Sequence, residues 1–274
     1  MKNESSRFIK YPLYPSPTPW YERLMVTLRF GGIIRCTVCG AISVVYVAGN
    51  NLRDTCKCLR CRATNRHRQI AYIACQSVGQ ATKSSLSSLK DFAGLGDFVI
   101  YNTEARGPLH NQLSRMRGYI CSEYFGPSHK SGDLVGNVMH QDLMDLSFAD
   151  ESIDLLISSE VFEHIPRPYR AHEEVYRVLK TGGRHIFTVP FHQTDFLDDE
   201  RTVMEESENT VFLKEPIYHL DPLRPEGTLV YTIFALEMLV KLRRIGFRTN
   251  LYQLQRPWHG IFGPNAIVFE AVKD

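Results

Sequence analysis

Two pairs of cysteines have the spacing of metal ligands. Cys36 and Cys39 form one C-x2-C pair, and Cys58 and Cys61 form a second pair after eighteen intervening residues. Each pair presents two thiolates from one tight turn, and four thiolates suit a tetrahedral zinc ion. Because four protein ligands leave no open position, we expect a zinc ion that stabilises the fold. Cys56 is an alternative ligand to Cys58, and buried reduced thiols are the alternative to a metal site.

A second group of reactive side chains follows two apolar segments that are typical of buried strands. In an open parallel sheet, ligands bind beyond the carboxyl ends of the strands. Side chains with hydroxyl, carboxylate, aromatic or imidazole groups follow the two apolar segments. We expect these side chains to border one crevice. These residues are Ser158, Ser159, Glu160, His164, Phe191 and His192.

A third candidate is the pair His219 and Asp221, which stand two residues apart in a stretch predicted to be a loop. An imidazole can accept a proton near neutral pH, and a neighbouring carboxylate can orient it. The candidate catalytic residues are therefore His219, His192, Asp221 and His164. A structural role is the alternative for a lone histidine, and for His164 that role is to hold a strand-to-helix turn.

The elements around the crevice follow the order of a parallel α/β unit. Ile153–Ile157 is a short apolar run that predicts a buried strand. Pro168 fits the first position of a helix with one apolar stripe, and Gly182-Gly183 is predicted to end that helix. His185–Val189 is β-branched and aromatic, which favours a second strand. The sequence thus predicts strand, helix, strand.

Further elements are predicted on both sides of this unit. A helix is expected from about Thr64 to Gln76, and the acidic stretch from Asp195 to Glu208 is expected to be a lid or solvated loop. Ile233–Ile245 predicts a last helix. Two closing strands are expected at Arg248–Leu254 and Ala266–Val272.

Three short stretches of the second half carry a family resemblance. They are the approach from Asp142-Leu143 to Asp154, the tripeptide Glu163-His164-Ile165, and RVLKTGG at residues 177–183. Over roughly residues 97 to 272, the chain resembles class I S-adenosylmethionine-dependent methyltransferases of the type 11 kind. The resemblance implies a Rossmann-like α/β fold with a seven-stranded sheet, S-adenosylmethionine as cofactor, and methyl transfer to a nucleophilic oxygen or nitrogen.

The turn after the predicted first strand departs from the family pattern. The strand Phe98–Tyr101 is followed by Glu104 at the acidic position, but Gly107 is the one glycine where the family has two or three. In the family, this turn lets backbone amides approach the methionine part of the cofactor. The alternative is that this turn does not bind the cofactor. A methyltransferase-like binding protein without catalysis is therefore an alternative.

The next strands supply the other implied cofactor contacts. Tyr119–Ser122 is predicted to end at Glu123, whose carboxylate can accept both ribose hydroxyls, with an exposed loop glutamate as the alternative. After a third strand near residues 137–140, the resemblance implies that Asp142 faces the adenine amino group and that Leu143 offers a backbone amide. The implied cofactor-binding residues are Glu104, Gly107, Glu123, Asp142, Leu143, Ser159 and Glu160.

Composition divides the chain into three predicted parts. Residues 1–30 form an arm rich in proline and aromatic residues, which is either a flexible tail or a segment that lies on the protein or on a second subunit in a homodimer. Residues 31–90 form a small zinc-ribbon or knuckle module with a helix, and residues 91–274 form the methyltransferase domain.

Charge and hydropathy limit the classes of partner that the sequence predicts. The formal net charge of +2 excludes a general polycation that binds nucleic acid or anionic lipid. The sequence contains neither an apolar run of membrane-spanning length nor a signal-peptide pattern, so we expect no membrane contact and a cytoplasmic location. The expected partner is a small hydroxylated methyl acceptor.

A basic cluster around the second cysteine pair keeps a different partner open. Six cationic residues stand close to one acidic residue, Asp54, and suit either a phosphate-bearing partner or a solvated helix face. An RNA methyltransferase that docks its substrate through this cluster is therefore an alternative, although stacking aromatics are few. The cationic residues are Arg53, Lys57, Arg60, Arg62, Arg66 and Arg68.

Overall fold

The computed structural model describes residues 32–47, 51–205, 209–221, 224–263 and 265–274. The predicted arm at residues 1–30 lies outside these residues, and its contact with a second subunit stays a prediction. The chain divides into two compact units: unit 1 takes residues 1–98, 106–119 and 250–270, and unit 2 takes residues 99–105, 120–249 and 271–274. The units join segments that are distant in sequence, whereas the predicted boundaries near residues 30 and 90 are linear and stay predictions.

Unit 1 begins with a three-stranded antiparallel sheet. Its strands are β1 (Ile33–Arg35), β2 (Ile42–Val47) and β3 (Cys56–Cys58), and β2 pairs with both neighbours. A single helical turn, α1 (Leu52–Thr55), lies between β2 and β3. Cys39 lies in the turn between β1 and β2, whereas Cys58 is the last residue of β3 and Cys61 lies in the turn that follows.

The long helix of unit 1, α2 (Asn65–Thr82), begins where the sequence predicts. Thr64 caps it by accepting a hydrogen bond from the backbone N–H of His67, and the His67 side chain accepts one in return from the Thr64 N–H. The helix extends six residues beyond the predicted Gln76. It ends at Lys83, which adopts a left-handed conformation with φ +53°.

The basic cluster is smaller than the sequence indicates, because Arg68 is fully buried. Its guanidinium donates to the carbonyl oxygens of Ala63 at 2.7 Å, Gly260 at 2.8 Å and Cys56 at 3.3 Å. Arg66 pairs with Asp54 at 3.1 Å. Arg68 therefore fastens backbone segments of unit 1 together and offers no cation to a phosphate.

The remaining elements of unit 1 are short. They are a 3-10 helix (Leu89–Gly94), α3 (Gly107–Leu113) and a 3-10 helix (Pro257–His259).

The strands that follow lie in unit 2, except for residue 119, residues 250–253 and residues 267–270, which belong to unit 1. They are β4 (Ile100–Asn102), β5 (Tyr119–Glu123), β6 (Leu134–Val135), β7 (Val138–His140), β8 (Ile153–Ser159), β9 (Leu179–Thr188), β10 (Asp199–Glu200), β11 (Thr202–Met204), β12 (Thr210–Phe212), β13 (Tyr218–Asp221), β14 (Arg224–Leu229), β15 (Thr232–Ile233), β16 (Phe247–Gln253) and β17 (Ile267–Lys273).

The central sheet has eight strands in the order β16-β17-β9-β8-β4-β5-β7-β6. The pairs β4 with β8, β8 with β9 and β5 with β7 are parallel. The prediction of a Rossmann-like α/β fold is confirmed. The sheet has one strand more than the predicted seven, because the two-residue strand β6 pairs antiparallel with β7 at its edge.

Two helices accompany the sheet of unit 2, namely α4 (Pro168–Val178) and α5 (Glu237–Ile245). The predicted apolar stripe of α4 is buried at Ala171, Val175 and Val178. None of the helices in the described residues combines the length and the hydropathy that a membrane span requires.

The predicted end of α4 at Gly182-Gly183 is wrong. The helix ends at Val178, and both glycines lie inside β9. The pairing of β8 with β9 jumps from Ile153 opposite Leu179 to Leu155 opposite Arg184, so the extra residues bulge out of the ladder. A Cβ on Gly183 would lie 2.7 Å from the Lys180 carbonyl oxygen. The two glycines therefore belong to a bulge in a strand. In the sequence, a glycine pair in such a bulge looks the same as a glycine pair that ends a helix.

The acidic stretch after β9 is only partly the solvated loop that its composition predicts. The Asp198 carboxylate is buried, accepts a hydrogen bond from the Ala235 N–H at 2.9 Å and pairs with Lys241 at 3.2 Å. Short antiparallel pairs join β10 to β15 and β11 to β12. Asp198 thus anchors this stretch to the start of α5, which begins four residues later than predicted.

Candidate functional site

The candidate active site is built on the carboxyl end of β8. Glu160, directly after the strand, has a left-handed backbone with φ +57°, although it is not a glycine. Such a conformation costs about 1–3 kcal/mol and persists where the surrounding structure enforces it. The Glu160 N–H donates to the Thr188 carbonyl oxygen at 3.0 Å. The turn leads into a 3-10 helix, Phe162–His164, which begins within three residues of the end of β8.

Glu163 is the centre of this site. Its side chain is fully buried, and neither carboxylate oxygen has a hydrogen-bond partner within the described residues. Two imidazoles face Oε1, with His219 Nδ1 at 3.6 Å and His164 Nε2 at 3.7 Å. Burial raises the pKa of Glu163, and the negative charge of Glu160 raises it further. The structure thus places a poorly solvated carboxyl group between two histidines.

His164 is held in a defined tautomer. Its Nδ1 lies 2.8 Å from the carbonyl oxygen of Leu229, and because a carbonyl only accepts, Nδ1 must carry the hydrogen. His164 Nε2 is therefore the nitrogen that faces Glu163. The same segment fixes the turn a second time, since the Tyr231 N–H donates to the Glu163 carbonyl oxygen at 2.7 Å. His164 both holds its turn, as expected, and contributes to the site.

His219 reaches Glu163 from a hairpin, whereas the sequence predicts a loop. The hairpin joins β13 to β14, with His219 opposite Thr228. The rings of His164 and His219 meet edge to face with centroids 5.0 Å apart. The Asp221 backbone pairs with Arg224, but its side chain lies outside the described residues. The pairing of His219 with Asp221 stays a prediction, and Glu163 is the carboxylate that the structure places beside His219.

Gly227 in β14 lets the chain pass close to His219. Its φ is +81°, and a Cβ there would lie 2.6 Å from the His219 carbonyl oxygen. We expect Gly227→Ala to displace the hairpin, because the nearest atom belongs to the backbone. Gly182→Ala is the matched control, since Gly182 has φ +77° but nothing within 4 Å.

Urea unfolding of both variants measures the difference. Gly182→Ala should cost about 1–2 kcal/mol for its left-handed backbone alone, and Gly227→Ala should cost more. Equal losses in the two variants would show that the close approach to His219 has no energetic weight.

His192 lies apart from this cluster in the contacts that are described. Its Nδ1 pairs with Asp195 Oδ2 at 3.2 Å, and its backbone N–H donates to the Phe234 carbonyl oxygen at 2.8 Å. Phe191 forms a bridge with Phe234. His192 thus has a carboxylate partner of its own, and its predicted catalytic role stays a prediction.

The residues predicted to bind the cofactor follow the ends of β4, β5 and β7. The Glu123 carboxylate accepts a hydrogen bond from the Ala105 N–H at 3.1 Å, which places the end of β5 beside the turn after β4. In that turn, Asn102 Nδ2 donates to the Glu104 carbonyl oxygen at 2.8 Å. Gly107 belongs to unit 1, where it begins α3 with φ +83°. The predicted acidic end of β5 is therefore present and in contact with the turn after the first strand.

Asp142 and Leu143 form a turn after β7. Asp142 Oδ1 accepts a hydrogen bond from the Met144 N–H at 2.8 Å, and the Asp142 N–H donates to Ser131 Oγ at 2.9 Å. Leu143 is buried. At the end of β8, the buried Ser159 hydroxyl has no hydrogen-bond partner within the described part of the chain. These polar groups fit a ligand with hydroxyl and amine groups, as the predicted cofactor has.

The four predicted zinc ligands come together in unit 1. The sulfur atoms of Cys36, Cys39, Cys58 and Cys61 all lie within 4.8 Å of one another. Cys36 Sγ and Cys61 Sγ are 3.7 Å apart, and bonds of about 2.3 Å to a tetrahedral zinc would set two sulfurs about 3.8 Å apart. Cys56 Sγ instead lies 3.5 Å from Arg68 Nη2. Of the two alternatives, Cys58 is the one in the cluster.

Hydrogen bonds within the cysteine cluster lower the pKa of two thiols and raise the pKa of the other two, Cys36 and Cys61, which act as the donors. The pKa of Cys39 is lowered to about 6, chiefly because the Cys36 thiol can donate a hydrogen bond to its thiolate. The same donor is the main cause of the lowered pKa of Cys58. At the turn of the first pair, Gly40 adopts φ +73°, and its N–H donates to the Cys36 carbonyl oxygen at 2.8 Å. The donor set and the turns fit zinc.

Glu163 is a candidate site residue to which the sequence pattern assigns no role. In the sequence, Glu163 stands out only as the first residue of the tripeptide Glu163-His164-Ile165, which carries part of the family resemblance. A usable signal was its position, because it directly precedes a candidate histidine a few residues after a buried strand. Its contact with His219 depends on the fold of a distant hairpin, and local spacing does not predict it.

The middle of unit 2 is similar to a known family. Residues 123–187 match the methyltransferase domain family. The matched segment runs from the end of β5 to β9 and includes Glu123, Asp142, Ser159 and Glu163. His219 and the cysteine cluster lie outside it.

The relatives are named methyltransferases and are similar to this chain over short stretches. An uncharacterized methyltransferase of Mycobacterium marinum (strain ATCC BAA-535 / M) is 43% identical over 63 residues, which is 23% of this chain and 24% of that protein. One from Mycobacterium tuberculosis (strain ATCC 25618 / H37Rv) is 52% identical over 40 residues, or 15% of this chain and 16% of that protein. The chain thus spans a quarter or less of the length of these two relatives.

Among solved structures, an S-adenosylmethionine-dependent methyltransferase from Mesorhizobium loti aligns with 66% of this chain and 97% of its own, at 13% identity and a TM-score of 0.41. A putative S-adenosylmethionine-dependent methyltransferase from Listeria monocytogenes aligns with 68% of this chain and 98% of its own, at 14% identity and a TM-score of 0.41.

Proposed function

We propose that this protein is an S-adenosylmethionine-dependent methyltransferase that methylates an oxygen or nitrogen of a small, hydroxylated metabolite. The observation that carries the proposal is the coincidence of two features at the end of β8. The methyltransferase segment, residues 123–187, contains this strand end. The buried carboxylate Glu163 and the imidazoles of His164 and His219 meet there. Together they supply a cofactor-binding framework and groups that can take up a proton.

The cofactor would be held along the carboxyl ends of neighbouring strands. When bound, S-adenosylmethionine supplies a methyl group on a cationic sulfur, which is already a good electrophile. Glu123 and Asp142 would hold its polar groups through their carboxylates, and Ser159 through its hydroxyl. Leu143 would offer a backbone amide. The main task of the protein is then to align the acceptor and to remove its proton.

The proton of the acceptor would leave at the cluster around Glu163. His219 is the proposed base, because its side chain is more than one-third exposed whereas Glu163 is fully buried. Glu163 would orient the His219 ring and stabilise it once it is charged. General-base catalysis of this kind contributes roughly 10²- to 10⁴-fold in rate. The acidic partner from the hairpin, Asp221, remains a second proposed orienting group.

A small acceptor is favoured by the charges of the described residues. The Arg68 guanidinium donates hydrogen bonds to backbone carbonyl oxygens, and Arg66 is paired with Asp54. Two of the six cations near the second cysteine pair are thus engaged within unit 1. The formal net charge of +2 supplies no general attraction for nucleic acid.

The acceptor class can be tested with fractionated cell extract. The protein, tritium-labelled S-adenosylmethionine and either the small-molecule or the RNA fraction are incubated, and label transfer is counted. Transfer to the small-molecule fraction is expected. Transfer to RNA alone would contradict the proposed acceptor, and the absence of transfer to either fraction together with no cofactor binding would contradict the activity.

The cysteine cluster would hold one structural zinc ion. Cys36, Cys39, Cys58 and Cys61 fill all four tetrahedral positions, so this ion would stabilise unit 1 and take no substrate. The donor atoms, their separation and the two backbone turns support this assignment.

Loss of Glu123 or Asp142 should weaken cofactor binding. Glu123→Ala removes one charged hydrogen-bond acceptor, worth about 1.5–3 kcal/mol, or roughly ten- to a hundredfold in affinity. Asp142→Ala should act similarly, but it also removes the bond to the Met144 N–H. Asp142→Asn is the matched variant, because it keeps an acceptor for Met144 and loses the charge.

Calorimetric titration with S-adenosylhomocysteine measures these effects, with thermal unfolding of each variant as the fold control. Unchanged affinity in folded Glu123→Ala and Asp142→Ala proteins would refute the assigned cofactor position.

A further inference from the structure

Glu163, His164 and His219 hold one carboxylate oxygen and two imidazole nitrogens within 4.8 Å of one another. We propose that these three residues bind a divalent metal ion, distinct from the zinc ion of the cysteine cluster. This ion site deepens the proposed function and rests on it only where the role of the ion is concerned.

The separations of the two imidazole nitrogens from the carboxylate oxygen approach those expected around one small ion. His219 Nδ1 and His164 Nε2 lie 3.6 and 3.7 Å from Glu163 Oε1. An ion with bonds of about 2.1 Å to each donor places neighbouring donors about 3.0–3.4 Å apart, depending on its geometry. A contraction of a few tenths of an ångström would therefore bring each of these two separations to the value expected around an ion. The observed distances are too long for direct hydrogen bonds between the imidazoles and the carboxylate.

The carboxylate of Glu163 needs a positive partner. The side chain is fully buried, and within the described residues no group donates a hydrogen bond to either oxygen. A buried carboxylate without compensation is costly, and buried charges in proteins are paired or coordinate metals. Both oxygens thus remain available to an ion, and the two imidazoles face one of them, Oε1.

His164 has the hydrogen-bond pattern of a metal ligand. Its Nδ1–H donates to the Leu229 carbonyl oxygen at 2.8 Å, so its Nε2 lone pair is aimed at Glu163 Oε1. Two acceptors then face each other, and only a proton or a cation between them removes the repulsion. Metal-bound histidines commonly donate their second ring N–H to a backbone carbonyl in this way, which fixes the ring for coordination.

An ion can reach this position and keep open coordination sites. The His219 side chain is 37% exposed and that of His164 is 16% exposed, whereas Glu163 closes the inner side. Two imidazoles and one carboxylate suit divalent manganese, iron, cobalt or zinc, whereas four thiolates select zinc. With three protein ligands, positions remain for other oxygen ligands.

The open positions indicate what the ion would do in the proposed reaction. A hydroxyl oxygen of the acceptor that coordinates there would lose its proton to water more readily, because the ion would stabilise the oxygen anion that keeps the O–H electron pair. His219 would then be a ligand, and the ion would take over the promotion of proton removal. The acceptor would be an oxygen nucleophile, with a second oxygen nearby if it chelates the ion.

Titration with Mn²⁺ alone tests the site. Mn²⁺ prefers oxygen and imidazole donors to thiolates, so it discriminates against the cysteine cluster. The full chain, purified without chelator, is titrated with MnCl₂, and the free ion is followed by electron paramagnetic resonance. The wild-type chain should bind a single Mn²⁺ saturably. Glu163→Gln and His219→Gln should each weaken binding at least about tenfold.

Glu173→Gln is the matched control, since Glu173 is exposed on α4 and pairs with Arg170. It should bind Mn²⁺ like the wild type. Thermal unfolding of each protein confirms the fold, and His219→Gln decides the test if Glu163→Gln does not fold. No saturable binding to folded wild-type protein overturns the ion site, as does undiminished binding in the folded variants.

The titration needs no methyl donor, which separates the two proposals. A chain that binds Mn²⁺ but neither S-adenosylmethionine nor S-adenosylhomocysteine supports the ion site and contradicts the proposed function. A chain that binds S-adenosylhomocysteine but no Mn²⁺ contradicts the ion site alone.

Discussion

Cys36→Ser is expected to release zinc and to unfold the cysteine module of unit 1. The four sulfurs of the cluster leave no spare ligand, and Cys56 is held against Arg68. Apparent binding free energies of structural zinc sites reach about 10–16 kcal/mol at neutral pH, and much of that is folding free energy. The loss of one thiolate should therefore exceed the effect of any single core substitution in this unit.

Cys75→Ser is the matched control for this prediction. Cys75 is also buried, but it lies within α2 and outside the cluster. Its substitution should keep one zinc ion per chain, whereas Cys36→Ser should lose it. Elemental analysis and thermal unfolding of the same samples measure both effects. A wild-type protein that is purified without chelator and contains no stoichiometric zinc would refute the site.

His219→Ala should lower kcat by roughly 10² or more and leave the affinity for S-adenosylhomocysteine within a few-fold. The reason is the position of His219 beside Glu163, whereas the assigned cofactor contacts come from other side chains. Its loss removes proton transfer, or coordination of an ion, without removing the cofactor contacts. Asp221→Asn should produce a smaller fall of the same kind if that side chain orients His219.

A structural histidine would behave differently. Its removal would lower the unfolding temperature and leave the rate per folded molecule within a few-fold. Rate and unfolding temperature are therefore measured on the same samples, with His259→Ala as a control from unit 1, where His259 Nδ1 faces the Arg35 carbonyl oxygen. A stable and fully active His219→Ala protein would move the assignment to His192 or leave the acceptor unassisted.

The elements that the sequence predicts well are those encoded by local patterns. The helix α2 begins next to the predicted Thr64, because its cap is a local hydrogen bond. Ile153–Ile157 lies inside β8, as expected for an apolar run between polar turns. The cysteine spacing likewise predicts which four sulfurs meet, since each pair is joined by one turn.

The elements that the sequence misses depend on distant partners. The helix α4 ends before its glycines because β9 pairs with β8 from Leu179 onwards, and a bulge absorbs the glycines. Asp198 is buried because Lys241 neutralises it from α5. Glu163 gains its significance from His219, which belongs to another element. In each case a tertiary contact overrides what the local composition favours.

The buried guanidinium of Arg68 has a consequence for the order in which unit 1 is assembled during synthesis. One of its acceptors is the Gly260 carbonyl oxygen, and Asn65 likewise donates to the Phe262 carbonyl oxygen at 2.7 Å. Until residues 250–270 have left the ribosome, the base of α2 lacks these acceptors, and closing so long a loop is slow. The cysteine module can bind its ion early, but its packing is completed only when this late segment arrives. We therefore expect unit 1 to complete its folding late in synthesis, although most of its residues are made first.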